Sequence, residues 1–145
     1  MDNFEDMFRD DVDLSSANKY IPNTMLEHLG IEFTELGEDF LAAKMPVDHR
    51  THQPMGILHG GASITLAETV GSAASNLIVD HATHYAVGLE VNGNHLRTVK
   101  SGHIHAKAIA VHIGRKTHIW DIRISDDAGK AVCISRLTMA IIPVE

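Results

Sequence analysis

Between His59 and Asp80 the chain carries its only long helical pattern, and that pattern is built largely from small residues. Leu66, Val70, Ala73, Ala74, Leu77 and Ile78 recur at helical spacing. Gly60, Gly61, Ala62, Ser63, Ala67, Gly71, Ser72 and Ser75 fill the positions among them. Each interior glycine costs a helix about 1 kcal/mol relative to alanine, so this helix needs tertiary packing to persist. Small side chains let other backbones come close. The pattern predicts a buried central helix wrapped by other elements.

What flanks it is mostly strand. Residues 1–20 read as an acidic helical lead-in with Phe4, Met7 and Phe8 on one face. A short helix over Thr24 to His28 follows Pro22 and stops at Gly30. Two short strands then run from Ile31 to Met45, joined by Leu36-Gly37-Glu38-Asp39. Pro46 to Gly56 is a loop. Beyond the helix, His84 to His95 is rich in β-formers, and residues 103–113 alternate with a phase shift between Ala108 and Ile109, as a bulge would produce. Trp120, Ile122 and Ile124 alternate with polar residues, Asp126-Asp127-Ala128-Gly129 makes a hairpin turn, and Val132 to Ile142 closes the set. Strands joined by hairpins imply an antiparallel sheet, and one long helix packed on it gives an α+β fold.

The chain has 145 residues, enough for one domain over 1–145 and little more. A net charge of −7 argues against a general nucleic-acid partner. No apolar run approaches the ~18–20 residues that span a bilayer, and the acidic start, Met1-Asp2-Asn3-Phe4-Glu5-Asp6, is unlike a signal peptide. Cys133 is the single cysteine, which fits a reducing, cytoplasmic setting, and its strand pattern marks it as a core residue. Eleven histidines stand out. His103 and His105 share a strand face and His49 and His52 share a loop, but a zinc site needs a third or fourth ligand. Residues 106–111 offer only Lys107. The expectation is no metal, with most histidines on wet strand faces.

Glu68 demands explanation. It lies mid-helix among Leu66, Ala67, Val70 and Gly71, where a carboxylate is costly unless it is paired, hydrogen-bonded, protonated or at the helix's exposed edge. Ser72 is four residues on and shares its face. Upstream, His59 and Gly60 open the helix, where free N–H groups and the dipole favour developing negative charge. A donor at a helix start and a poised carboxylate are the minimum for attack on a carbonyl. No Gly-x-Ser-x-Gly elbow is present.

The run Thr51-His52-Gln53-Pro54-Met55-Gly56-Ile57-Leu58-His59-Gly60-Gly61-Ala62, followed by Ala67-Glu68-Thr69 and Gly71-Ser72, resembles the hotdog-fold acyl-CoA thioesterases with a glutamate on the central helix. That branch includes 4-hydroxybenzoyl-CoA, dihydroxynaphthoyl-CoA and enterobactin proofreading thioesterases. The resemblance continues at Glu90-Val91-Asn92-Gly93-Asn94-His95 and His112-Ile113-Gly114-Arg115. It implies a curled antiparallel sheet around one helix, with Glu68 as nucleophile or general base and the Gly60 N–H polarising the carbonyl. It further implies that Gln53 and His59 position the thioester and water, that Ser72 supports them, and that His95, Met55 and Thr69 lie at the acyl pocket. In the family each site forms between two subunits, so the resemblance implies a homodimer or dimer of dimers, with an acyl-CoA substrate and no cofactor.

The phosphates of CoA would need a local positive patch on this acidic chain. Arg97 with Lys100, and Arg115 with Lys116, flank strand turns; Arg115 is the better supported because the resemblance reaches it. Two other functions fit the same motifs: a hotdog dehydratase acting on hydroxyacyl thioesters, and a non-catalytic acyl-CoA binding module. Gln53 before His59-Gly60-Gly61, and Ser72 after Glu68, favour hydrolysis.

Overall fold

A computed structural model of the chain describes residues 4–145. Two short helices, α1 (Leu14–Asn18) and α2 (Met25–Leu29), precede the strands β1 (Glu32–Leu36) and β2 (Phe40–Pro46). The long helix α3 (Gly60–Ile78) follows, then β3 (His84–His95), β4 (His103–Ile113), β5 (Thr117–Asp126) and β6 (Ala131–Pro143). All pairings are antiparallel, in one curled sheet ordered β1-β2-β4-β5-β6-β3. The hotdog architecture is therefore present.

The helix behaves as its composition requires. Leu66, Ala67, Val70, Gly71, Ala74 and Leu77 are buried, and α3 packs against every strand from β2 to β6. Facing it are Leu41, Met45, Ile104, Trp120, Ile122, Leu137 and Met139, each under 2% exposed. Cys133 is buried beside them with a free thiol, and burial pushes its pKa up. One polar cluster sits inside: the Trp120 Nε1–H donates to Ser75 Oγ at 2.8 Å, and His118 Nδ1 lies 3.0 Å from the same oxygen.

Three expectations need correction. The lead-in is not a helix over its described length: residues 4–13 are turns, and α1 holds five residues behind a capping box of Asp13 and Ser16. Phe4, Met7 and Phe8 nevertheless pack on the core; residues 1–3 lie outside the described part. The β3–β4 connection is not a hairpin, because β3 crosses to the far edge and pairs with β6. The bulge in β4 falls between Ala110 and His112, two residues later than the hydrophobic phase suggests, since Ala110 still points inward and Ile109 outward.

Each edge strand is met by an asparagine. The Asn18 amide on α1 donates to the Phe33 carbonyl and accepts from the Phe33 N–H, both at 3.0 Å. The Asn76 amide on α3 does the same for Ala86 on β3, both at 3.1 Å. Among the described residues no helix is long and apolar enough to cross a membrane.

Candidate active site

The loop before α3 is fixed by its own short-range bonds. Asp48 accepts from the Arg50 N–H at 3.0 Å and from its guanidinium at 3.0 and 2.7 Å, which holds the Asp48 carboxyl far below the usual carboxylate range. Buried Thr51 donates its hydroxyl to the Pro46 carbonyl at 2.8 Å and accepts the His59 N–H on its own carbonyl at 2.8 Å. These contacts set where the helix begins. His59 is the N-cap, its Nδ1 accepting from the Gly61 N–H at 2.8 Å. The Gly60 N–H has no acceptor among the described residues. The His95 ring stands over Gly60, so close that a Cβ there would lie 2.8 Å from Nε2.

Gln53, Gly60, His95 and Arg97 line one cavity of about 400 Å³, together with Ser63 and Thr98. Gln53 Oε1 accepts from the Met55 N–H, which orients the amide. Glu68, Thr69 and Ser72 line a different and larger cavity, about 580 Å³, on the other side of the helix. Gly60 and Glu68 are eight residues apart, about 12 Å along the axis. The chain thus places the Gly60 N–H and the Glu68 carboxylate at separate cavities. Met55 is 78% exposed and lines neither cavity. Arg115 also lines neither; it sits on the β4–β5 turn, at the opposite end of these strands from Arg97.

Glu68 is half-buried, and its carboxylate lies against a glycine of the sheet. A Cβ on Gly88 of β3 would lie 2.2 Å from Glu68 Oε1, so only glycine lets the carboxylate rest on that strand. The ladder shifts register between Gly88 and Glu90. Asn76, two helical turns beyond Glu68 on the same face, pins the strand by its bonds to Ala86 and also donates to the Ser72 carbonyl at 3.0 Å. Sequence reading overlooked both residues. The signal for Gly88 was there, since glycine inside a strand marks a bulge or a close approach.

The expectation for the histidines holds in part. His105 meets Asp127 at 2.7 Å on the outer face, but His118 is only 2% exposed.

A curled sheet around a central helix, with a carboxylate on the helix's middle turn and an unsatisfied N–H at its first, defines a hotdog-fold enzyme. The chain belongs to the thioesterase superfamily, whose family model matches residues 55–133; it is of the thioester-hydrolase class. It is similar to the thioesterase PA1618 of Pseudomonas aeruginosa, a solved structure with 53% sequence identity and a TM-score of 0.92, covering 95% of this chain and 99% of that one. It is also 46% identical over 128 residues to the proofreading thioesterase EntH of Cronobacter turicensis, covering 88% of this chain and 93% of that protein. The Staphylococcus aureus thioesterase SAV0944 has a TM-score of 0.80 at 37% identity, over 82% of this chain and 98% of that one.

Proposed function

We propose that the protein hydrolyses acyl-CoA or acyl-carrier-protein thioesters of an aromatic or medium-chain acid, at sites completed by two copies of the chain. The observation that carries this reading is the seating of the Glu68 carboxylate against Gly88, in a cavity that the Gly60 N–H does not reach. The second copy supplies that donor, with Gln53, His59 and His95 around it. The carboxylate either attacks the carbonyl carbon, giving an anhydride that water opens, or takes a proton from the attacking water. In both cases the C–S bond breaks, the oxyanion is held by the N–H, and the thiolate leaves without a strong acid.

Two further observations support the roles and the assembly. The S. aureus protein has been solved with a glutamine and, separately, a glutamate changed to alanine; these two positions have the same spacing as Gln53 and Glu68. The edge strand β3 exposes Tyr85, Val87 and Leu89, at 44%, 41% and 67%, an apolar edge that a second copy would cover. The free buried Cys133 thiol suits a cytoplasmic setting.

Glu68→Ala or Glu68→Gln tests the reading. We expect hydrolysis across a panel of acyl-CoA thioesters, followed by free-thiol release, to fall about 10²-fold or more with an unchanged melting curve. Turnover within about tenfold of wild type would remove Glu68 from the chemistry.

A further inference from the structure

The larger cavity extends well past the carboxylate. Its helix wall runs from Thr65 to Leu77, about 18 Å along the axis, and about 13 Å of that lies between Glu68 and Leu77. The opposite wall is not sheet alone. It is formed by the N-terminal arm, residues 9–20, and by α2. Val12, Ala17, Leu26, Phe33, Ala73 and Leu77 make the interior apolar, whereas Tyr20 and Met25 are 59% and 56% exposed at its rim.

The arm is fastened at both ends although it has little regular structure. At one end the Arg9 guanidinium donates to the Asn76 carbonyl at 3.2 Å and to the Val79 carbonyl, and the Arg9 N–H reaches the Leu77 carbonyl at 3.4 Å. These are carbonyls that the last turn of a helix leaves unpaired. At the other end Asn18 clamps β1. A segment tied across a cavity without filling it is a wall with space kept behind it.

We infer that this arm forms the acyl-binding wall, so that Val12 and Tyr20, with Ala73 on the helix, select a neutral, apolar acyl group running from Glu68 toward Leu77. The inference rests on the thioesterase reading. With the carbonyl at Glu68, the acyl group has one apolar path within the protomer, under the arm. The charged groups of the walls stay at the rim: Arg9 is held by Asp11 at 3.1 Å and by the helix carbonyls, and Lys19 and His81 are exposed, the Lys19 ammonium lying 5.0 Å from the centre of the Tyr20 ring. In the apolar interior, away from the rim, a carboxylate-tipped acyl group would lose its hydration without gaining a free partner. A short acyl group would leave most of the cavity unfilled.

The test compares kcat/KM for acetyl-, octanoyl- and benzoyl-CoA in the full-length wild type, Val12→Phe, Ala73→Leu and Tyr20→Ala, with melting curves to confirm folding. In Val12→Phe and Ala73→Leu the ratio of octanoyl or benzoyl to acetyl turnover should drop about tenfold or more, the scale of discrimination by added bulk in an apolar pocket. A drop confined to octanoyl-CoA marks an alkyl occupant and one confined to benzoyl-CoA an aryl occupant; either supports the inference. Tyr20→Ala, which opens the rim, tests the arm side without overpacking, and its ratio should rise for the larger acyl groups. If wild type hydrolyses these thioesters and all ratios stay within about twofold, the arm is not the acyl wall, as when a second copy fills the cavity. If wild type hydrolyses none of them, the thioesterase reading fails and the inference with it.

Discussion

Glu68 and Gly88 form a pair in which the smaller partner sets the position of the larger. Gly88→Ala would put a methyl group where Oε1 now rests, 2.2 Å away. The carboxylate is the far end of a flexible side chain, so it moves and the fold survives. We expect the melting temperature to change little and kcat to fall by up to about 10²-fold, the cost of misplacing a reacting group by about 1 Å. Unchanged kcat in a folded Gly88→Ala protein would show that the carboxylate's present seat is not the working one. Glu68, Ser72, His59 and Gly60 stand out in the sequence because mid-helix charge, a shared helix face and cap residues are local features, whereas Gln53 is singled out only by the family resemblance. Gly88 and Asn76 were not picked out because their meaning depends on which strand faces the helix. That β3 crosses to the sheet edge beside β6 is a property of topology, and no spacing along the chain encodes it.

At the scale of elements, α3 is joined to β5 by the only fully buried histidine among the described residues. Burial, with the nearby charge of His112, pushes the His118 pKa down to about 4 from the ordinary 6.5. Its ring is neutral in the fold: it donates to the Gly114 carbonyl, and Nδ1 accepts the Ser75 hydroxyl. The unfolded chain binds this proton more readily, so stability is intact above about pH 6.5 and is lost as pH falls toward about 4. The full loss from this one group is about 3 kcal/mol. Urea unfolding of wild type and His118→Gln at about pH 7 and about pH 4 should show a steeper decline in wild type by that order of magnitude. Parallel declines would assign the acid sensitivity to other groups. Helix and strand identities were readable from periodicity throughout this region. The β4 bulge was placed early because Ile109 is apolar yet faces outward, which hydropathy alone cannot reveal.

For the whole molecule, the two half-sites make a prediction about mixtures. If Glu68 of one copy works with Gln53 and Gly60 of another, Glu68→Ala and Gln53→Ala carry their defects on opposite subunits. After subunit exchange, each heterodimer has one doubly defective site and one intact site. Random assortment then restores roughly a quarter of all sites, read as recovered turnover on mixing two nearly inactive proteins. Confirmed exchange of tagged subunits without recovery would place the whole site within one chain.

The asparagine on α1 also bears on solubility. A sheet that grows by edge pairing polymerises when both edges accept strands, because every added copy presents a fresh edge. Both edges are blunted at one position: the Asn18 amide uses both main-chain groups of Phe33 on β1, and the Asn76 amide uses those of Ala86 on β3. On β1, a strand of 5 residues with α1 against it, the clamp leaves little to pair, whereas β3 has 12 residues, so a pairing of β3 with β3 would use up the longer free edge. In such an assembly the clamp on β1, far from the chemistry, would favour a closed unit over a fibre.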